Sequence, residues 1–177
     1  MLSFDQACVK YFDAIDVFFR RYSDDIIVVC NFNQQVAAVD FISNEISNLG
    51  PSMKISAEKT EVSIFSQIVD GKLSCDKPVT YLGLTFDGKR VCLRGRTISR
   101  YYRRMTYAAR HTAKAAARSK SKNIFMRKLY SDLSHLGKQN FYSYAKNAAA
   151  TLGDKAPVRQ LRRHMKILRR KVTTLGR

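Results

Sequence analysis

Carboxylates almost vanish from the second half of this 177-residue chain. Asp132 and Asp154 are the two acids between residues 89 and 177, against 25 lysines and arginines. Cations so poorly matched cannot neutralise one another's field within the segment, and a polyanion is their natural partner. Long apolar runs are missing as well. No stretch approaches the 18 uncharged apolar residues of a transmembrane helix, and the N-terminus lacks the basic and apolar regions of a signal peptide, so the expected location is the cytoplasm, with no membrane partner. The four cysteines, Cys8, Cys30, Cys75 and Cys92, include no Cys-X-X-Cys pair, and His111, His135 and His164 stand too far apart for a local metal motif. Thiol and imidazole metal sites are therefore not expected, and the cysteines read as reduced core residues.

What is present divides the chain in two. Residues 1–88 hold 7 Lys/Arg and 12 Asp/Glu, net −5, whereas residues 89–177 hold 25 and 2, net +23, which together make the overall +18. The length allows one or two compact units, and a hydrophobic content of 45% can build their cores. An acidic unit suits cation binding and a basic one suits a phosphate backbone.

The acidic part contains Phe18-Phe19-Arg20-Arg21-Tyr22-Ser23-Asp24-Asp25-Ile26-Ile27-Val28-Val29, two apolar runs pinching adjacent carboxylates. Aromatic and β-branched runs on both sides of a short polar break predict a β-hairpin buried on at least one face, with Asp24 and Asp25 at its tip. Ser-Asp-Asp is good turn chemistry in its own right, because Ser and Asp bond their own backbone there. Two adjacent carboxylates on rigid strands also repel one another, and a hard divalent cation between them relieves that repulsion. Downstream, Val36, Val39, Ile42, Ile46 and Leu49 recur at helical spacing, with Gly50-Pro51 as a stop. Residues 60–66, 79–86 and 90–94 read as strands, the last two joined by an Asp87-Gly88 turn. From Thr97 to about Ala117 the pattern is helical, and further helices are expected over 122–136, 139–151 and 157–173. In the last, Leu161, Met165, Leu168 and Val172 form an apolar stripe, while Arg162, Arg163, Lys166, Arg169 and Arg170 take other faces. The fold class expected is α+β: a small antiparallel sheet with a packed helix over 1–95, followed by a basic all-helical segment over 96–177.

Three motifs in order carry a family resemblance. Arg21-Tyr22-Ser23-Asp24-Asp25 with its apolar flanks resembles the Tyr-X-Asp-Asp motif of reverse transcriptases, especially the bacterial enzymes of group II introns, retrons and phage defence. Met53 to Val62, with Lys59-Thr60 before a strand, is similar to the family's next palm motif. Val79-Thr80-Tyr81-Leu82-Gly83-Leu84-Thr85-Phe86 is similar to the strand pair with which these polymerases grip the primer. The resemblance spans roughly residues 10 to 95 by motif, and the basic helices correspond to the thumb by position and character. The family's earlier aspartate motif and its Gln-Gly segment have no counterpart in the 23 residues before Asp24. Tyr11-Phe12-Asp13-Ala14-Ile15 leaves no room for a helix and strand before Tyr22, and reads instead as the helix leading into the hairpin. The chain thus resembles the C-terminal half of such an enzyme, either the product of a truncated gene or one piece of a split enzyme whose other half a separate polypeptide would carry.

The resemblance implies a partial polymerase palm followed by a thumb, and nucleotidyl transfer assisted by two Mg²⁺ ions, in which a primer 3′-hydroxyl attacks the α-phosphate of a dNTP on an RNA template. It assigns metal ligation to Asp24 and support of the site to Asp25, and places Tyr22 under the template–primer end. Lys59 would approach the triphosphate, and Tyr81, Leu82 and Gly83 would form the primer grip. Arg100, Arg103 and Arg104 of the first thumb helix, with Arg162, Arg163, Arg169 and Arg170 of the last, would hold the RNA–DNA duplex. Tyr101, Tyr102 and Tyr107 lie among the first group and Arg110, some of them core. Two other readings stand beside this one: a stand-alone nucleic-acid-binding protein whose hairpin no longer serves catalysis, and a basic assembly protein of the ribosomal type in which Asp-Asp is simply a turn.

Overall fold

The computed structural model describes residues 2–50, 52–68, 71–118 and 126–175. The chain is α+β with small antiparallel sheets, and it divides into two compact units, Met1–Leu82 and Gly83–Arg177.

The first unit opens with α1 (Leu2–Ala14), whose Phe4, Cys8 and Phe12 recur every four residues and are all buried. That face packs on a hairpin of β1 (Phe18–Tyr22) and β2 (Asp25–Val29) and on α2 (Gln35–Asn48). Val17 and Phe19 from the hairpin and Ala38 and Ile42 from α2 complete the core. The Phe12 and Phe19 rings stack at 5.4 Å, and Tyr11 lies flat on Phe41 at 3.8 Å. Burial of the Phe12 and Phe19 side chains is worth roughly 1.5–3 kcal/mol each. α1 ends in a Schellman turn: the Val17 amide donates to the Phe12 carbonyl at 2.9 Å, and Asp16 takes the left-handed conformation, φ +53°, that such turns usually give to glycine. The rest of this unit holds the short antiparallel pair β3 (Phe65–Gln67) and β4 (Leu73–Cys75), and β5 (Val79–Tyr81). The strand expected over 60–66 is confined to Phe65–Gln67. Its partner β4 is three residues long; beyond it Ile64 still exchanges hydrogen bonds with Asp76, and among the described residues 61–63 join no ladder.

In the second unit β6 (Leu84–Phe86) pairs antiparallel with β7 (Val91–Leu93) through a turn in which the Asp87 carboxylate accepts the amides of Lys89 and Arg90. Five helices follow among the described residues: α3 (Gly95–Arg118), α4 (Met126–Leu133), α5 (Phe141–Leu152), α6 (Ala156–Gln160) and α7 (His164–Leu175). The start of the helix expected over 122–136 lies outside the described residues. Leu93, Tyr101, Met105, Leu129, Leu133, Ala145, Leu161 and Leu168 make one core, so the β6–β7 pair packs with the helices that follow it. Side chains of the helical region complete β7. The Gln160 amide exchanges two hydrogen bonds with the Leu93 backbone, at 2.7 and 3.2 Å, and the Asp154 carboxylate accepts the Val91 amide at 2.9 Å. Asn140 joins α4 to α5: its NH₂ donates to the Ser131 and Ser134 carbonyls at 2.7 Å, and its carbonyl oxygen caps α5 at the Ser143 amide. Gly137 sits so close to the Ser131 carbonyl, 1.8 Å from where a Cβ would stand, that no side chain fits there.

The helix expected over 157–173 is interrupted. Residues 161–163 form a tighter turn, in which the amides of Leu161, Arg162 and His164 each bond the carbonyl three residues back. The break lets Leu161 drop fully into the core and lets the His164 ring bond the Leu161 carbonyl at 2.7 Å. Within the apolar stripe read from the sequence, Leu161 and Leu168 are buried, and Met165 and Val172 are half-buried.

Candidate catalytic hairpin and nucleic-acid face

The hairpin register pairs Tyr22 with Asp25, which leaves Ser23 and Asp24 as a two-residue loop. Ser23 carries φ +53°, a left-handed backbone that a tight hairpin demands at the first loop position and that costs a non-glycine residue of order 1 kcal/mol. Asp24 is thus the loop residue, and Asp25 the first residue of β2. Both are exposed, and Tyr22 beside them is 66% exposed. Strand alternation turns Phe19 and Arg21 to the inner face, and there Arg21 meets α1: its Nε and Nη2 clamp the two oxygens of Asp5 at 2.5 and 2.6 Å. The third guanidinium nitrogen, Nη1, donates to the Ser23 carbonyl. One side chain therefore ties the loop to the first helix. The bidentate hydrogen bonding holds the Asp5 carboxyl below its usual range and raises Arg21, to which the nearby Asp24 charge adds a smaller contribution.

Tyr81 stands near the same tip. Burial is the main cause that raises its phenol, and the Asp25 charge raises it further. Leu82 and Gly83 follow with φ +48° and +81°, consecutive left-handed residues of the kind a type I′ turn needs. A Cβ on Gly83 would meet only the Tyr144 hydroxyl, at an ordinary 3.6 Å, so conformation rather than space calls for glycine there. Leu82 and Ser23 are thus strained non-glycine residues, one in each of the two motifs that the resemblance assigns to substrate.

Lys59 lies exposed on a single 3₁₀ turn, Ala57–Lys59, and among the described residues no hydrogen bond or ion pair ties it to Asp24 or Asp25. Nor does any group of three or more His, Cys, Asp or Glu side chains come together among those residues. Two adjacent exposed carboxylates suit Mg²⁺ delivered with phosphate oxygens and water; they do not make a cage built wholly from protein.

In the second unit Arg100, Arg103, Arg104, Arg162, Arg163, Arg169 and Arg170 are all exposed. Arg162 and Arg163 lie in the turn between α6 and α7, and Arg169 and Arg170 on α7 itself. The tyrosines separate by burial. Tyr101 is core, its hydroxyl donating to the Leu133 carbonyl at 2.5 Å and its acidity suppressed by burial; Tyr102 is half-buried, and Tyr107 is 73% exposed. Sequence reading passes over Arg96, Lys114 and Arg118, which share a face with Arg100, Arg103, Arg104 and Arg110. Their i, i+3, i+4 and i+7 spacings were the available signal. Among the described residues none of these seven cations pairs with a carboxylate. The three acids of this unit serve elsewhere: Asp132 faces Lys128, while Asp87 and Asp154 hold backbone amides. It was equally silent on the Asp5–Arg21 clamp, since sequence alone gives no sign that residues 16 apart meet.

No described helix is long and apolar enough to cross a membrane. Compared with protein-family models and with curated proteins, the chain matches none.

Proposed function

We propose that this chain supplies the palm hairpin and thumb of an RNA-directed DNA polymerase. The observation that carries the reading is the tip itself: Tyr22, Asp24 and Asp25 exposed on a two-residue hairpin that a buried-face arginine ties to α1, with Tyr81 within the field of Asp25. Turn chemistry alone explains Ser23 and Asp24. It does not explain an exposed tyrosine paired with a second carboxylate at the same end of the ladder.

Asp24 and Asp25 would hold Mg²⁺ together with the phosphates of the incoming nucleotide. When bound, that ion stabilises charge on the transferring phosphoryl group and favours the ionised primer hydroxyl. The chain's own residues do the positioning. Arg21 fixes the loop that presents Asp24, and Tyr22 offers an aromatic surface beside the carboxylates. Leu82 and Gly83 present backbone to the primer, and the exposed arginines of α3 and α7 neutralise template and primer phosphates.

The test is primer extension on an RNA template with Mg²⁺ and dNTPs. The chain is assayed alone and then with a polypeptide carrying polymerase fingers and a further catalytic aspartate. Extension in the mixture should be lost with Asp24→Asn, while template–primer binding stays. Substantial synthesis by that variant would overturn the assignment. A second reading, a nucleic-acid-binding protein without catalysis, is favoured by the absence of a third carboxylate beside Asp24 and Asp25 among the described residues. It predicts salt-sensitive binding and no extension in either arm.

A further inference from the structure

Tyr107 sits in the middle of the basic face of α3, one turn from Arg103 and Arg104 on one side and from Arg110 and His111 on the other. A large aromatic that is 73% exposed among arginines contributes nothing to its own core. The core-facing side of α3 is already filled by Tyr101, Met105, Ala109 and Ala116. The Tyr107 ring stacks on His111, with centroids 6.3 Å apart and planes 28° from parallel. The two rings form a small platform open to solvent, and one turn further on an open depression of about 420 Å³ runs past Arg110, Ala113, Lys114 and Ala117.

We infer that this face binds an unpaired strand of nucleic acid, one base lying on Tyr107 with His111 beside it and the flanking phosphates on the arginines. The inference rests on the nucleic-acid part of the function proposed above and adds an unpaired strand to the duplex whose phosphates the same arginines neutralise. In a duplex, neighbouring pairs cover the base faces and only phosphates and groove edges are offered. An aromatic platform within a cationic stripe is used when bases are free to stack. Helical spacing brings a cation to the face about every 6 Å along the axis, so an extended backbone meets a charge on either side of the platform. An anionic membrane would instead need the apolar side of the helix, and that side is buried in the unit's own core.

The experiment is fluorescence anisotropy of the full chain with three labelled probes: a single-stranded RNA, a single-stranded DNA of equal length and a blunt duplex. Tyr107→Ala and Tyr107→Phe are compared with the parent chain, and circular dichroism checks that the fold is kept. Tyr107→Ala should weaken binding of both single strands by roughly 5- to 150-fold. It should leave the duplex unchanged, and Tyr107→Phe should behave as the parent. Unaltered single-strand affinity in Tyr107→Ala, or an equal loss on the duplex, would overturn the inference while salt-sensitive binding kept the wider reading alive. If the parent chain bound none of the probes at low salt, that reading would fall and the inference with it. Tyr107-dependent binding to phosphatidylserine vesicles in place of the oligonucleotides would overturn it in favour of a membrane.

Discussion

Removal of three arginines from the exposed face of α3 should change the salt dependence of nucleic-acid binding by a calculable amount. Seven cations, Arg96, Arg100, Arg103, Arg104, Arg110, Lys114 and Arg118, share that face, and none of them is paired with a carboxylate among the described residues. With about 0.9 counterions released per neutralised phosphate of a duplex, full engagement gives log Kd a slope near 6 against log salt. Affinity should then fall about 6,000-fold between 50 and 200 mM salt. Arg100→Ala, Arg103→Ala and Arg104→Ala together leave four cations, lower the slope by about 2.7 and reduce the fall to roughly 150-fold. Alanine is the better helix former, so the exposed helix should not weaken and lost binding would not reflect unfolding. Duplex titrations at five salt concentrations measure the slope. The matched control removes the same charge from the first unit, with Lys10→Ala, Lys54→Ala and Lys72→Ala. If control and test variants lost equal slope, net charge alone would drive binding and the face would have no special role.

Two further predictions concern stability. His164 is buried, bonds the Leu161 carbonyl through Nδ1 at 2.7 Å, and its Nε2 accepts the His135 amide at 3.3 Å beside the His135 ring at 3.2 Å. Burial, with a smaller contribution from His135, depresses its pKa below the ordinary value near 6.5, although the Leu161 carbonyl opposes this. The unfolded chain therefore takes up a proton that the folded one refuses. Stability should be highest above pH 6.5 and fall as pH drops below it, levelling off once the folded ring is itself protonated. Urea midpoints between pH 7.5 and 5 check this, and His164→Asn should flatten that part of the curve; an identical slope in the variant would refute it. Asp16 holds φ +53° at the end of α1, exposed, so Asp16→Gly should stabilise the chain by about 1 kcal/mol. An unchanged or lower urea midpoint would mean that the turn is not strained.

Elements whose signal is local were legible. The β1–β2 hairpin, α2, α3 and α5 follow from alternation, helical periodicity and turn residues within a dozen or so positions. Two errors share a different cause. Residues 60–66 have the composition of a strand, but strand length is set by the partner, and β4 offers three residues. The stripe from Leu161 to Val172 has helical spacing, yet the tighter turn at 161–163 is only three residues long, too short to disturb a stripe read over twelve positions. What fixes the break lies elsewhere in the chain, where the Leu93 backbone engages the Gln160 amide and the histidine pair forms.

The candidate site divides in the same way. Asp24 and Asp25 were legible because adjacent carboxylates between apolar runs are a local pattern, and the basic face was half legible because charge is counted before it is placed. Placement is what separates Tyr101 from Tyr107. The two lie six residues apart among the same arginines, and one helical projection turns the first into the Leu133 contact and the second into solvent. The Asp5–Arg21 clamp had no local signature at all. Arg21 reads as one more cation until the strand's alternation turns it inward, opposite a carboxylate that the α1 fold brings within hydrogen-bond reach. A hairpin whose loop residue is left-handed and whose flanking arginine bonds both the loop carbonyl and a distant helix is held in one conformation by groups from two elements. That arrangement is what presentation of Asp24 and Asp25 requires, and it depends on a contact that no reading of residues 18–29 by themselves contains.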